Sequence, residues 1–188
     1  MTLLADHGWR LAKQTDLARI VAIAAEVHPD LPERVAVLDE KRILFPSGCF
    51  CFDENGVVTG YAISHPWALY DIPRLDHFLG ALPADADCLY LHDVALLHAA
   101  RGKGAAGALA HRLDRVASRT GLPALALTSV YGTRPLWEAL GFSPVSDKRI
   151  AADSYGGSAV YMIKRRFLSN GEDDPQPPPV RNNRSETS

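Results

Sequence analysis

Apolar residues recur at two spacings along this chain, and each change of spacing marks a change of element. Trp9-Arg-Leu-Ala12 reads as a short first strand. Leu17, Ile20, Val21, Ile23 and Ala24 then form a stripe at helical spacing. They predict a helix from Asp16 to about Val27, with Thr15 placed to cap it and His28-Pro29 to end it. Val35, Val37, Leu38, Ile43 and Leu44 predict a second helix over about Glu33–Phe45, stopped by Pro46-Ser-Gly48. Cys49–Phe52 and Val57–Ile63 flank Asp53-Glu-Asn-Gly56, which reads as a hairpin turning at Asn55-Gly56. Residues 64–87 read as a long connection with one short helix over about Pro73–Leu79. An apolar strand follows over 88–97. A helix from about Gly104 to Arg119 carries Ala105, Leu109, Leu113 and Val116, and Gly121 stops it. Strand 124–130, a helix over about Arg134–Leu140 with Pro135 in its first turn, and a last strand Ala159–Ile163 complete the pattern.

From Ser169 onward the chain is polar, acidic and then proline-rich. Such a segment cannot bury enough apolar surface to order itself, so a folded domain over 1–168 and a disordered tail over 169–188 are expected. Composition narrows the function classes. The 188 residues carry a net charge of −2, with Lys and Arg dispersed rather than gathered in a stripe, so nucleic acid is not expected as a main partner. No basic segment precedes an apolar run at the N-terminus, and no run is long enough to span a bilayer; a cytoplasmic protein without membrane contact is expected. Cys49, Cys51 and Cys88 read as buried reduced thiols, since residues two apart on a strand share a face and cannot easily bridge. The histidines are scattered, with no ligand spacing to a cysteine, and no metal is expected.

The stretch with most chemistry is Leu89–Gly107, where an apolar strand ends, a short turn follows, and Arg101-Gly-Lys-Gly104 opens a helix. Glycines let the backbone approach a ligand, the first helical turn leaves N–H donors without acceptors, and the helix dipole favours an anion. Arg101 and Lys103 add positive charge, so a diphosphate-bearing ligand is expected. Gly102-Lys-Gly-Ala-Ala-Gly107 also spells a dinucleotide fingerprint, but four residues separate it from Leu97, and no acid ends the next strand to hold a ribose. Too little chain remains for a doubly wound sheet. The dinucleotide reading fails on context.

Arg101-x-x-Gly104-x-Ala106 resembles the pyrophosphate loop of the GNAT N-acetyltransferases. Trp137-Glu-Ala-Leu-Gly141-Phe142 resembles that family's aromatic-x-x-x-Gly-Phe signature, and the order of elements over 9–167 is similar throughout. The resemblance implies an α/β (α+β) fold: a central mixed, mostly antiparallel, twisted sheet of six to seven strands with about four helices, splayed between strands four and five. It implies acetyl-CoA as co-substrate, with the pantetheine arm laid against Leu96 and Leu97 and the pyrophosphate on the N–H groups of Arg101, Gly102, Lys103, Gly104, Ala105 and Ala106. A backbone N–H near Leu96 would polarise the acetyl carbonyl.

Attack of a neutral amine on a thioester needs a proton acceptor and, less stringently, an acid for the departing thiolate. The resemblance places an acidic group where His92-Asp93 stand. Neighbours in a strand face opposite ways, so only one of the two is expected to face the cleft. The family's tyrosine is replaced by Trp137, whose indole is too weak an acid, and its upstream asparagine falls at Val130. Tyr131 is the first substitute as acid, ahead of Ser129 and Tyr155. His28, Phe45, Trp67, Tyr70 and Tyr155 fall where the acceptor cleft is walled in the family. The function expected is acetyl transfer to a primary amine of a small molecule or a peptide terminus. The alternative is a non-catalytic acyl-CoA sensor of the same fold, and the family leaves a homodimer open.

Overall fold

The computed structural model describes residues 8–147, 149–150 and 155–166. Within them the chain forms β1 (Trp9–Leu11), α1 (Leu17–Val27), α2 (Val35–Leu44), β2 (Cys49–Glu54), β3 (Val57–Trp67), β4 (Cys88–Leu96), α3 (Ala105–Arg119), β5 (Ala124–Ser129), α4 (Arg134–Ala139), β6 (Ser143–Pro144) and β7 (Val160–Arg165). The strands make one sheet in the order β1-β2-β3-β4-β5-β7-β6, antiparallel except for the parallel pair β4–β5.

Side chains alternate across a strand, so each face of the sheet buries its own set. On one face Phe50, Ala62, Leu89, Leu91 and Leu125 pack with Leu109 and Leu113 of α3 and with Trp137 of α4. On the other, Cys49, Cys51, Tyr61 and Ile63 pack with Ile20 and Ile23 of α1 and Leu38 of α2. Beyond these, Cys88, Tyr90, Ala126, Tyr161 and Ile163 form a third cluster closed by Ile72 and Tyr155. All three cysteines are buried and free, and Cys49 and Cys51 share a face.

Several local expectations need correction. Thr15 does not cap α1; a 3-10 turn over Gln14–Asp16 leads into the helix without a side-chain cap. The Asp16 carboxylate organises this corner instead. It accepts the Lys13 N–H at 2.8 Å and the Arg10 guanidinium at 2.7 and 3.0 Å, and Arg10 also reaches Asp53 at 2.8 Å, tying β1, the start of α1 and β2 together. The expected helix over Pro73–Leu79 is absent, and β3 runs on through His65 to Trp67, so both belong to the sheet. Backbone N–H groups of that connection are taken by carboxylates from α2 and the loop before it, Glu33 on Asp76 and Glu40 on Leu79 and Gly80, which removes the need for helical bonds. The two-residue β6 was not foreseen. The boundary expected at 168 and the tail beyond it lie outside the described residues.

Candidate active site

The site begins as a failure of pairing. β4 and β5 are bonded only at Leu89–Leu125, Tyr90–Ala126 and Leu91–Leu127. Beyond Leu91 the strands part. A β-bulge falls at the same point: Ile63 of β3 faces Asp93 and Ser64 faces Leu91, which leaves His92 as the extra residue. Bulges bend a strand and re-aim its side chains. Here Leu89 and Leu91 point to the α3 face before the bulge, and Val94 and Leu96 point there after it. That shift of one in the apolar phase puts His92 and Asp93 on the same face of the sheet. The expectation that the two take opposite faces is therefore overturned, because it assumed a regular strand.

The gap exposes backbone. Leu97 donates its N–H to the Thr59 carbonyl at 2.9 Å, on the β3 side. Backbone groups alternate in direction along a strand, so those of Val94 and Leu96 turn into the gap. Side chains meet their carbonyls there: His28 Nε2 at 3.0 Å from Val94 O, and Arg101 Nε donating to Leu96 O at 3.0 Å. A cavity of about 530 Å³ follows the gap. It runs from Arg101 and Ala106 past Val94 and Leu96 to Asp93, Glu33 and the apolar Leu31 and Leu75.

At one end lies the turn into α3. Gly102 and Gly104 have φ of +74° and +77°, and a Cβ at either would touch nothing within 4 Å. The left-handed backbone, rather than crowding, favours glycine there. The first helical bond runs from Ala108 N to Gly104 O at 3.0 Å, so the N–H groups of Ala105, Ala106 and Gly107 have no acceptor within the helix. The two cations expected on a diphosphate have other partners: Arg101 on Leu96 O, and Lys103 on Glu54 at 2.6 Å.

At the other end two acid–histidine pairs stand side by side. Asp93 Oδ2 accepts the Tyr61 hydroxyl, and Asp93 Oδ1 lies 3.3 Å from His28 Nε2. Burial pulls the His28 imidazole down, but the bond and charge of Asp93, with the Val94 carbonyl, outweigh it and hold His28 above its ordinary value. The Tyr131 ring stacks on His28, with centroids 5.6 Å apart and planes 5° off parallel. His92 is different. Its side chain is fully buried, and Nε2 donates to both Glu33 oxygens at 3.0 and 3.1 Å. Glu33 also accepts the Asp76 N–H and sits 3.5 Å from the buried Lys41 ammonium. Burial would raise the Glu33 carboxyl, but His92 and Lys41 hold it down at about 2. Asp93, partly exposed, is thus the member of the His92–Asp93 pair open to a ligand.

Sequence comparison says which family carries this arrangement. The sequence profile of the Acetyltransferase (GNAT) family matches residues 14–142. The chain belongs to the GNAT family.

Solved structures of similar fold align with it over most of its length. The GphF GNAT-like decarboxylase in complex with isobutyryl-CoA aligns with a TM-score of 0.67 at 17% identity, over 85% of this chain and 99% of that one. The ribosomal-protein-S18-alanine N-acetyltransferase from Escherichia coli aligns at 0.61 with 16% identity, over 88% and 97%. Rv2747 from Mycobacterium tuberculosis, in complex with CoA and NLQ, aligns at 0.60 with 15% identity, over 85% and 99%. At such identities the likeness is one of fold. No curated protein sequence matches the chain.

Within the GNAT frame, other expected residues fall as follows. Trp137 is buried, meets Phe142 edge-on at 5.7 Å and packs in the core under the gap. Ser129 is buried and bonded to Thr133 at 3.1 Å, and the Tyr155 hydroxyl donates to Pro73 O at 3.0 Å. Of the expected acceptor wall, His28 and Tyr155 line the cavity, whereas Phe45, Trp67 and Tyr70 pack elsewhere. Glu33 and Tyr61 were not foreseen. Their pairings span 59 and 32 residues and leave no local signature, although the phase shift between Leu91 and Val94 was there to be read. Among the described residues no group of three or more His, Cys, Asp or Glu could hold a metal ion, and no helix is long and apolar enough to cross a membrane.

Proposed function

We propose that the chain is an acetyl-CoA-dependent N-acetyltransferase acting on a primary amine of a small molecule or a peptide terminus. The observation that carries this reading is that one cavity joins Arg101 and Ala106, which flank the glycine turn, to the β4 edge that β5 leaves and to the Asp93–His28 pair. A diphosphate has free N–H donors at the turn, and a pantetheine amide has beside Val94 and Leu96 a strand edge that β5 leaves and only side chains, His28 and Arg101, meet.

The amine nitrogen attacks the thioester carbon, and the carbonyl electrons move to oxygen, where an edge N–H of β4 stabilises them. Asp93, with its charge supported by Tyr61 and His28, takes the proton the nitrogen must lose. The oxygen electrons return to re-form the carbonyl, the C–S bond breaks, and its electron pair leaves with sulfur as a thiolate. Tyr131, half-exposed on the face of His28, is the hydroxyl nearest in role to the missing family tyrosine and protonates that thiolate. His92, fixed by Glu33, anchors β4 at the bulge beside Asp93.

A second reading, an acyl-CoA-binding domain without transfer, is favoured by one observation: the family's acid position holds the core-packed Trp137. A thiol-release assay with acetyl-CoA and a panel of primary amines separates the two. Turnover with at least one amine is expected. Binding of CoA with no turnover on any amine would support the sensor, and neither binding nor turnover would dismiss both.

A further inference from the structure

We propose that Arg101 makes this site selective for diphosphate-bearing thioesters over the same thioester on a bare pantetheine arm. The inference rests on the acyl-CoA reading above.

Arg101 stands immediately before the two positive-φ glycines, yet its side chain turns away from them. Its Nε donates to the carbonyl of Leu96 at 3.0 Å, and the side chain lines the cavity. Leu96 is the last residue of β4, on the stretch that β5 has left, so the guanidinium lies where an added strand would pair. Lys103 cannot take over this role without leaving Glu54, to which it is bonded at 2.6 Å. One cation therefore has two alternative acceptors: a neutral carbonyl on the strand edge and a diphosphate at the turn.

The two acceptors are unequal. A guanidinium meets phosphate in a charge-assisted, often bidentate pair, roughly twice as strong as a bond to a neutral carbonyl. A ligand carrying the diphosphate draws Arg101 off Leu96, and the freed edge then accepts the arm's amide. A ligand lacking the diphosphate has to compete with Arg101 for that edge and offers nothing in exchange. The diphosphate thus does more than add its own contacts: it uncovers the subsite for the rest of the molecule. This is differential binding of a ligand to two states of one side chain, which is what a population shift requires.

Titration calorimetry of the full chain with CoA, ADP and pantetheine, for the native protein, Arg101→Ala and Arg101→Lys, tests this by the sign of the change. For Arg101→Ala, CoA and ADP are expected to weaken by roughly tenfold or more, the loss of one charge-assisted bond, while pantetheine binds several-fold tighter. Arg101→Lys keeps a charge without the fork and should fall between for CoA. Arg101 is exposed, and unchanged thermal midpoints for both variants are expected. If Arg101→Ala weakens pantetheine as well, or leaves it unchanged, the inference is wrong while the acyl-CoA reading stands. If the native protein binds neither CoA nor ADP, both fall.

Discussion

Asp93→Asn is expected to lower kcat for acetyl transfer by about a hundredfold to ten-thousandfold, the range for loss of a positioned proton acceptor. Affinity for CoA should stay the same. Asparagine has the size of aspartate and still accepts the Tyr61 hydroxyl, so the bulge and the gap keep their shape. What it removes is the charge. The amine loses its proton acceptor, and His28 loses the neighbour that holds it above its ordinary value against the pull of burial. The N–H groups expected to take the diphosphate lie at the far end of the cavity and are untouched. Steady-state kinetics beside calorimetry with CoA separate the two effects. Equal loss of turnover and of CoA binding would mean that Asp93 serves the fold rather than the chemistry.

Glu33→Ala is expected to destabilise the protein by about 3–5 kcal/mol, because it leaves a buried cation without its counter-charge. Lys41 is fully buried, and among the described residues its ammonium bonds, besides Glu33, the carbonyls of His77 at 3.3 Å and Val37 at 3.5 Å. Burial pulls the Lys41 ammonium below its ordinary value, and the Glu33 carboxylate opposes that pull. The same carboxylate fixes His92, so β4, α2 and the 68–87 connection all lose a shared anchor. Urea unfolding measures the cost, and Glu33→Ala combined with Lys41→Met should recover part of it by removing the orphaned charge. The pH dependence follows from the depressed carboxyl of Glu33. Its ordinary value is 4.5 and its folded value about 2, so the stabilisation is complete above 4.5 and is lost as pH falls toward 2. A double variant no more stable than Glu33→Ala would contradict the charge argument.

The sequence showed elements better than it showed joints. The stripe on α3 and the apolar run of β4 are local, and residues 105–119 and 88–96 fold close to the bounds expected from them. The glycine turn was legible for the same reason: its chemistry resides in consecutive backbone units. The acid–base end was not. His92 and Asp93 were singled out, but their directions depend on a single unpaired residue in a ladder with β3. His92 is held by a carboxylate 59 residues away, and Asp93 by a tyrosine 32 residues away on the neighbouring strand. The absent helix over 73–79 has a similar cause, since its backbone donors are satisfied by Glu33 and Glu40 from another element. Propensity misleads where tertiary partners take over the backbone.

A crystal structure with acetyl-CoA bound tests the central claim most directly. The account predicts the diphosphate on the N–H groups between Gly102 and Ala106, the arm running beside Val94 and Leu96 in the gap between β4 and β5, and the thioester reaching toward Asp93. A thioester held away from that gap, or a diphosphate on the turn with the arm directed out of the cavity, would contradict it.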